Sequence, residues 1–192
     1  SNVACRKESL LGTNQFPNFN ESVLESIEKT GCNCGCSHDA EGVAVEKLNN
    51  KRAASDFEDL RIETEKSGKR PKVFMLTIGN LAMRLARSQF SANFFGCAGY
   101  QIIDNLGFDT VQAGVDAALE QKAEIIVLCS SDDEYETLAP EAYKYLDGKA
   151  LFVVAGAPAC ADALKEQGIT EFINVKSNVL ETLKAFNAKL LK

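Results

Sequence analysis

The stretch KVFMLTIGNLAMRLARSQFSANFFGCAGYQIID, from Lys72 to Asp104, decides the fold. It opens as a continuous apolar run, turns at Gly79–Asn80, proceeds with helical spacing to Cys97, and resumes as the short apolar run YQII. A strand that ends on glycine and feeds a helix is where many α/β proteins hold a phosphate or a cofactor. This turn has the right shape but little chemistry. It carries no histidine, no aspartate at its start, and no second glycine until Gly96.

The same alternation continues to the end of the chain. Strands are expected at 72–79, 100–105, 124–131, 150–157 and 171–175. Helices are expected at 81–98, 111–122, 135–147, 160–167 and 178–191. The runs EIIVLCSS and ALFVVAGAP are apolar throughout, as strands covered on both faces must be. Gly99, Gly107, Gly148 and Gly168 fall where helices end or loops turn. Such βα units give a doubly wound, flavodoxin-like (Rossmann-like) five-stranded parallel sheet with right-handed crossovers. Ligands in such sheets sit outside the carboxyl ends of the strands. Here that edge comprises Gly79–Asn80, Ser130–Asp133, Gly156–Pro158 and Lys176–Asn178.

Residues 1–70 read differently, as an arm before a folded domain at 71–192. LLGTNQFPN suggests a short strand and turn, ESVLESIEK a helix, and TGCNCGCSHDAEG a loop. In NNKRAASDFEDLRIETEKSG, Ala54, Phe57, Leu60 and Arg61 form one narrow helical face, too little for a separate core.

Composition sets further bounds. The 192 residues carry a net charge of −6, with no basic block, which argues against a nucleic-acid or anionic-membrane surface. No apolar run approaches a membrane span, and SNVACRKESL lacks the apolar core of a signal peptide. Seven cysteines, an odd number without a disulfide-like framework, suggest a reducing cytoplasm.

Beyond this point the reading rests on a resemblance. The series RPKVFMLTIG, CAGYQIIDNLGF, LCSS and VVAGAPA is similar to the cobalamin-binding domain of acyl-CoA mutases. LTIGNLAMR and NFFGCAGY resemble the small, non-catalytic (beta) subunit of heterodimeric methylmalonyl-CoA mutase. The resemblance is close over 71–192 and thinner over 1–70, where LLGTNQFPN and RAASDFEDLR look like the end of the mutase (β/α)8 barrel and its linker. A complete barrel needs about 250 residues. The resemblance therefore implies a C-terminal piece of a longer subunit and a large catalytic subunit as partner. It also implies a holoenzyme isomerase using adenosylcobalamin, with the cofactor bound by the large subunit and none by this chain.

In cobalamin-binding members the first loop carries an Asp-x-His-x-x-Gly motif whose histidine ligates cobalt. Here the histidine position falls on Met83 or Arg84, and the closing glycine on Ala86 or Arg87. A Ser-x-Leu motif for the nucleotide tail is reduced to Ser130-Ser131-Asp132, and a Gly-Gly pair to Ala155-Gly156. A thioether is a poor substitute for imidazole and a guanidinium cannot ligate. The residues left for a degenerate pocket are Gly79, Asn80, Met83, Arg84, Ser130, Ser131, Ala155 and Gly156. No catalytic set is proposed, because the only histidine lies outside 71–192. The alternative is a genuine cobalamin-binding module without a histidine ligand, using Ser130, Ser131 and Gly156.

Three further signals each have two readings. Cys32, Cys34, Cys36 and His38 are the most metal-like group, but one residue between cysteines is tighter than zinc sites favour, so oxidisable surface thiols are the preferred reading. Ser130–Asp133 are expected to cap the helix beginning near Tyr135, rather than Asp132, Asp133 and Glu134 holding Mg²⁺. On the helix after Gly79, Met83, Ala86, Phe90, Phe94 and Cys97 are expected to face the core. Leu81, Leu85, Ser88, Ala92 and Phe95 are the expected partner-facing stripe.

Overall fold

A computed structural model describes residues 1–28 and 51–191, and the Cys32–His38 group lies outside them. The order is α1 (Val23–Glu28), α2 (Ser55–Lys66), β1 (Lys72–Thr77), α3 (Leu81–Gly96), β2 (Gln101–Ile103), α4 (Val111–Glu120), β3 (Ile125–Cys129), α5 (Tyr135–Leu146), β4 (Leu151–Ala155), α6 (Ala161–Glu166), β5 (Glu171–Ile173) and α7 (Val179–Leu190). All pairings in the sheet are parallel, in the order β2-β1-β3-β4-β5. This is the flavodoxin-like order, and its switch point lies between β1 and β3.

The sheet buries both faces, and strand alternation assigns each side chain to one of them. Val73, Met75, Val127, Cys129, Val153 and Ala155 join the core under α3 and α7. Phe74, Leu76, Ile126, Leu128, Phe152 and Val154 join the core under α4, α5 and α6. The strands are shorter than expected from the apolar runs. Their outer residues belong to the loops at the carboxyl edge, where burial continues but ladder pairing stops; Ser130 and Ser131 are buried beyond the end of β3.

The N-terminal arm departs from the expectation of an appendage with too little apolar surface. Val3, Ala4, Phe57 and Leu60 are buried in the same cluster as α3 and α7. In α2, Phe57, Leu60, Arg61 and Thr64 form the inward face. Ala54 is half-buried. Arg61 is 5% exposed, and its guanidinium donates to the Asn18 and Glu21 carbonyls while lying 3.8 Å from Glu65. Glu65 in turn accepts from the Val23 and Leu24 backbone N–H groups and so holds the start of α1. The strand expected in LLGTNQFPN is only an isolated bridge between Leu11 and Gln15. The buried Asn14 side chain accounts for this. It donates to the carbonyls of Val3 and Glu8 and accepts from Leu10 N–H, bending the segment into a turn.

Beneath α2 lies a buried polar network. Tyr100 Oη donates to Asn187 Oδ1 at 2.6 Å, and Asn187 Nδ2 donates to Glu63 and to Thr64 Oγ1. Desolvation raises the Tyr100 pKa, so the phenol stays protonated and donating.

The packing of α3 also differs from the expected stripes. Its buried residues are Ser88, Ser91, Phe94, Phe95 and Gly96. Met83 is only half-buried and Ala86 is exposed, while Phe95 is fully buried among Phe94, Tyr100 and Phe186. The first turns of α3 stand beyond the sheet edge, so the inward face begins only at Ser88. Replacing Phe95 with alanine should lower the unfolding free energy by about 3–5 kcal/mol. Leu85→Ser, at a position 44% exposed, should change it by less than about 0.5 kcal/mol. Urea denaturation of the two variants checks both values.

Candidate functional site

The switch-point crevice opens where β1 and β3 diverge into their following loops. Asn80 ends the first loop as the N-cap of α3, its side chain accepting from Met83 N–H at 3.1 Å. Thr77, the other polar group of this loop, is committed to Asn105. Both side chains are spent on local structure.

The second loop does not cap α5 as expected. Glu134 occupies the N-cap position, and no side-chain cap is made there. Its carboxylate turns back across the crevice instead. Glu134 Oε2 accepts from Ser130 Oγ at 2.5 Å, from Ser131 Oγ at 2.6 Å, and from the backbone N–H groups of Ser131 and Asn80, each at 3.2 Å. The first three donors come from β3's own loop; Asn80 comes from the far side, at the start of α3. The hydroxyl hydrogen bonds, first from Ser130 and then from Ser131, hold the carboxyl well below its usual range, at about 2.

Gly79 shows how closely this carboxylate fits. Its φ is +77°, and a Cβ placed there would fall on the Glu134 carboxylate. Gly156, with φ +153°, lies against Asp132, Tyr135 and Arg87; a Cβ there would come within 3.0 Å of Asp132 Oδ1. Two arginines of α3 line the same edge. Arg84 donates to the Gly79 and Leu106 carbonyls. Arg87 pairs with Asp132 at 2.9 Å.

Tyr135 braces the crevice floor. Its hydroxyl donates to the Ala155 carbonyl at 2.6 Å and accepts from Ser130 N–H at 3.0 Å, so it bolts the end of β3 to the end of β4. It is fully buried, and desolvation raises its pKa.

The expected pocket residues are therefore neighbours around one edge. Gly79, Asn80, Ser130 and Ser131 surround Glu134; Arg84 lies beside Gly79; Ala155 and Gly156 meet Tyr135 and Asp132. Met83 contributes its backbone N–H to the helix cap. In the sequence Glu134 stands out only as a possible Mg²⁺ ligand and Tyr135 only as the start of a helix, not in these roles. Ser131-x-x-Glu134 has the spacing of a capping box, a signal that was available. The long reach to Asn80 could not be read from spacing. Among the described residues no group of three or more His, Cys, Asp or Glu side chains is placed to hold a metal ion. Of the described cavities, those of about 480 and 370 Å³ are lined largely by the arm, that of about 320 Å³ lies between the arm, α3 and the start of α7, and none is lined by this crevice.

The sheet order and the site at its switch point define a doubly wound α/β domain of flavodoxin-like topology. No family model matches the chain. It is 63% identical, over 191 residues, to the methylmalonyl-CoA mutase small subunit of Porphyromonas gingivalis, a match covering 97% of this chain and 30% of that protein. A probable methylmalonyl-CoA mutase small subunit of Mycobacterium bovis is 25% identical over 94% of the chain and 28% of its own length. The methylmalonyl-CoA mutase small subunit of Streptomyces virginiae is 27% identical over 83% of the chain and 25% of its own length. The chain is a relative of methylmalonyl-CoA mutase small subunits, as its motifs indicated, and it spans less than a third of the length of these proteins.

The lowered pKa of Glu134 bears on stability. A carboxyl whose folded pKa lies below its unfolded value stabilises the fold above that unfolded value. The contribution is then lost as pH falls from about 4.5 toward about 2. Glu134→Gln should therefore flatten the pH dependence of stability over that window while leaving its shape above pH 5 unchanged. Urea midpoints of the two proteins at pH 7, 4 and 3 measure this.

Proposed function

We propose that this chain is part of the small subunit of an adenosylcobalamin-dependent methylmalonyl-CoA mutase, and that it serves the enzyme structurally, without binding cobalamin itself. The holoenzyme would interconvert methylmalonyl-CoA and succinyl-CoA, with cobalamin held by a large catalytic subunit. The observation that carries this reading is the Glu134 carboxylate inside the crevice, hydrogen-bonded to the serines that would otherwise face a nucleotide tail.

The donor set supports it. Cobalt would need a soft or imidazole ligand from α3's first turn, and that turn supplies Met83, Arg84 and Arg87. The guanidiniums of Arg84 and Arg87 are hydrogen-bonded to this chain's own carbonyls and carboxylate. The residues present do not suit the cofactor. The tail phosphate would meet a carboxylate ionised at every physiological pH, with Asp132 and the exposed Asp133 nearby.

A partner-facing role keeps only part of its expected stripe. Ser88 and Phe95 are buried, but Leu81 is 59% and Leu85 44% exposed, and Leu106 on the neighbouring loop is 94% exposed. Together they leave apolar surface at the carboxyl edge for the large subunit. No helix among the described residues is long and apolar enough to cross a membrane.

Equilibrium dialysis against hydroxocobalamin tests the reading, with a histidine-bearing cobalamin domain as the control. The expected result is no retention of cobalamin and no change in its absorption spectrum. Retention without a spectral change would establish the alternative, a tail slot that works without a cobalt ligand, and would end the structural reading.

A further inference from the structure

Four donors converge on one oxygen at the switch point. Two are serine hydroxyls on buried residues, Ser130 at 0% and Ser131 at 8% exposure, and two are backbone N–H groups from opposite sides of the crevice. Asn80 N–H is also the first donor of α3, a helix of 16 residues whose N-terminal dipole favours negative charge. Hydroxyls and backbone amides gathered around an oxygen at a helix start are what an oxyanion of the phosphate class requires. The oxygen there is supplied by the chain itself, from a side chain that left the cap position of its own helix to reach it.

We propose that this cradle is an oxyanion-binding site closed from within, with Glu134 acting as its permanent internal anion. The inference rests on the reading above that the crevice has lost its cofactor, and adds that its anion-binding half survives in working order. The carboxylate excludes a free phosphate in two ways. It fills the space beside Gly79, where even a Cβ would collide with it, and it satisfies all four donors. The charged groups facing the cradle fit one bound anion and no more. Arg84 lies at Gly79 and Arg87 is neutralised by Asp132, while Asp133 is exposed and repels a second negative charge. Loss of one carboxylate should therefore restore a site.

The test is calorimetric titration with inorganic phosphate, at neutral pH in chloride, of the full chain and its Glu134→Ala, Glu134→Gln and Glu134→Ala/Ser130→Ala variants. Glu134→Ala should bind phosphate roughly tenfold or more tightly than the unaltered chain, the scale of one or two charge-assisted hydrogen bonds. Glu134→Gln should stay near the unaltered level, because the amide still fills the cradle. The double variant should lose the gain. A folded Glu134→Ala chain that binds phosphate no better than the parent overturns the proposal, and so does a gain that survives removal of Ser130. Should Glu134→Ala not fold, the unaltered chain decides by carbon-13 titration of the Glu134 carboxyl. Titration below the ordinary glutamate range supports the occupied cradle, and ordinary titration overturns it. Cobalamin retention by the unaltered chain would instead break the functional reading on which the proposal stands, so the two failures are distinct.

Discussion

Phe95 is the pivot of the sheet face beneath α3 and α7. Its ring stacks on Tyr100 with centroids 6.2 Å apart and meets Phe94 and Phe186 at 5.5 Å each. These contacts join the end of α3, the entry to β2 and the last helix. Aromatic rings bury large areas and prefer offset or edge contacts, so such a cluster fixes the relative angles of its elements as well as their proximity. The Tyr100 hydroxyl then extends the cluster into the Asn187–Thr64–Glu63 network and thereby into α2. The arm docks because its apolar residues complete this cluster and its polar residues satisfy groups that the cluster buries. Seen this way, residues 1–28 and 51–70 are part of how the α/β sheet covers one face.

The opposite end of the design is the carboxyl edge, where the sheet presents loops instead of strands. Most doubly wound proteins hold a ligand there. In this chain most donors at that edge have a partner from the same polypeptide: Ser130, Ser131 and Asn80 with Glu134, Arg87 with Asp132, Arg84 with the Gly79 and Leu106 carbonyls, and Tyr135 with Ala155, while Arg84 Nε and Arg87 Nε are buried without one. Buried polar groups are costly when unpartnered, so donors gathered at such an edge need partners. An internal carboxylate is an economical one. It brings the negative charge the cradle favours and costs only the conformational freedom of a single side chain.

The same packing accounts for two glycines at this edge. Gly79 is needed because the Glu134 carboxylate occupies the space of a side chain and because the backbone there has positive φ. Gly156 presses against Asp132, Tyr135 and Arg87 for the same reason. Glycines that would admit a cofactor in a binding domain here admit the chain's own charged groups.

The five-strand alternation and the parallel sheet were legible in the sequence, since strands buried on both faces must be apolar throughout. The existence of α1 and α2 followed from local spacing, and the structure contains both. Three things needed the tertiary structure. Which residues of α3 face inward depended on how far the helix projects beyond the sheet, and that exposed Leu81 and Leu85 while burying Ser88 and Phe95. Whether the arm belongs to the core depended on the face left open beside α7, which no property of residues 1–70 encodes. The fourth donor to Glu134 is the N–H of Asn80, 54 positions away in sequence. Local chemistry could place a carboxylate three residues after Ser131. Only the approach of β1 and β3 in one sheet could turn that carboxylate into the occupant of the site between them.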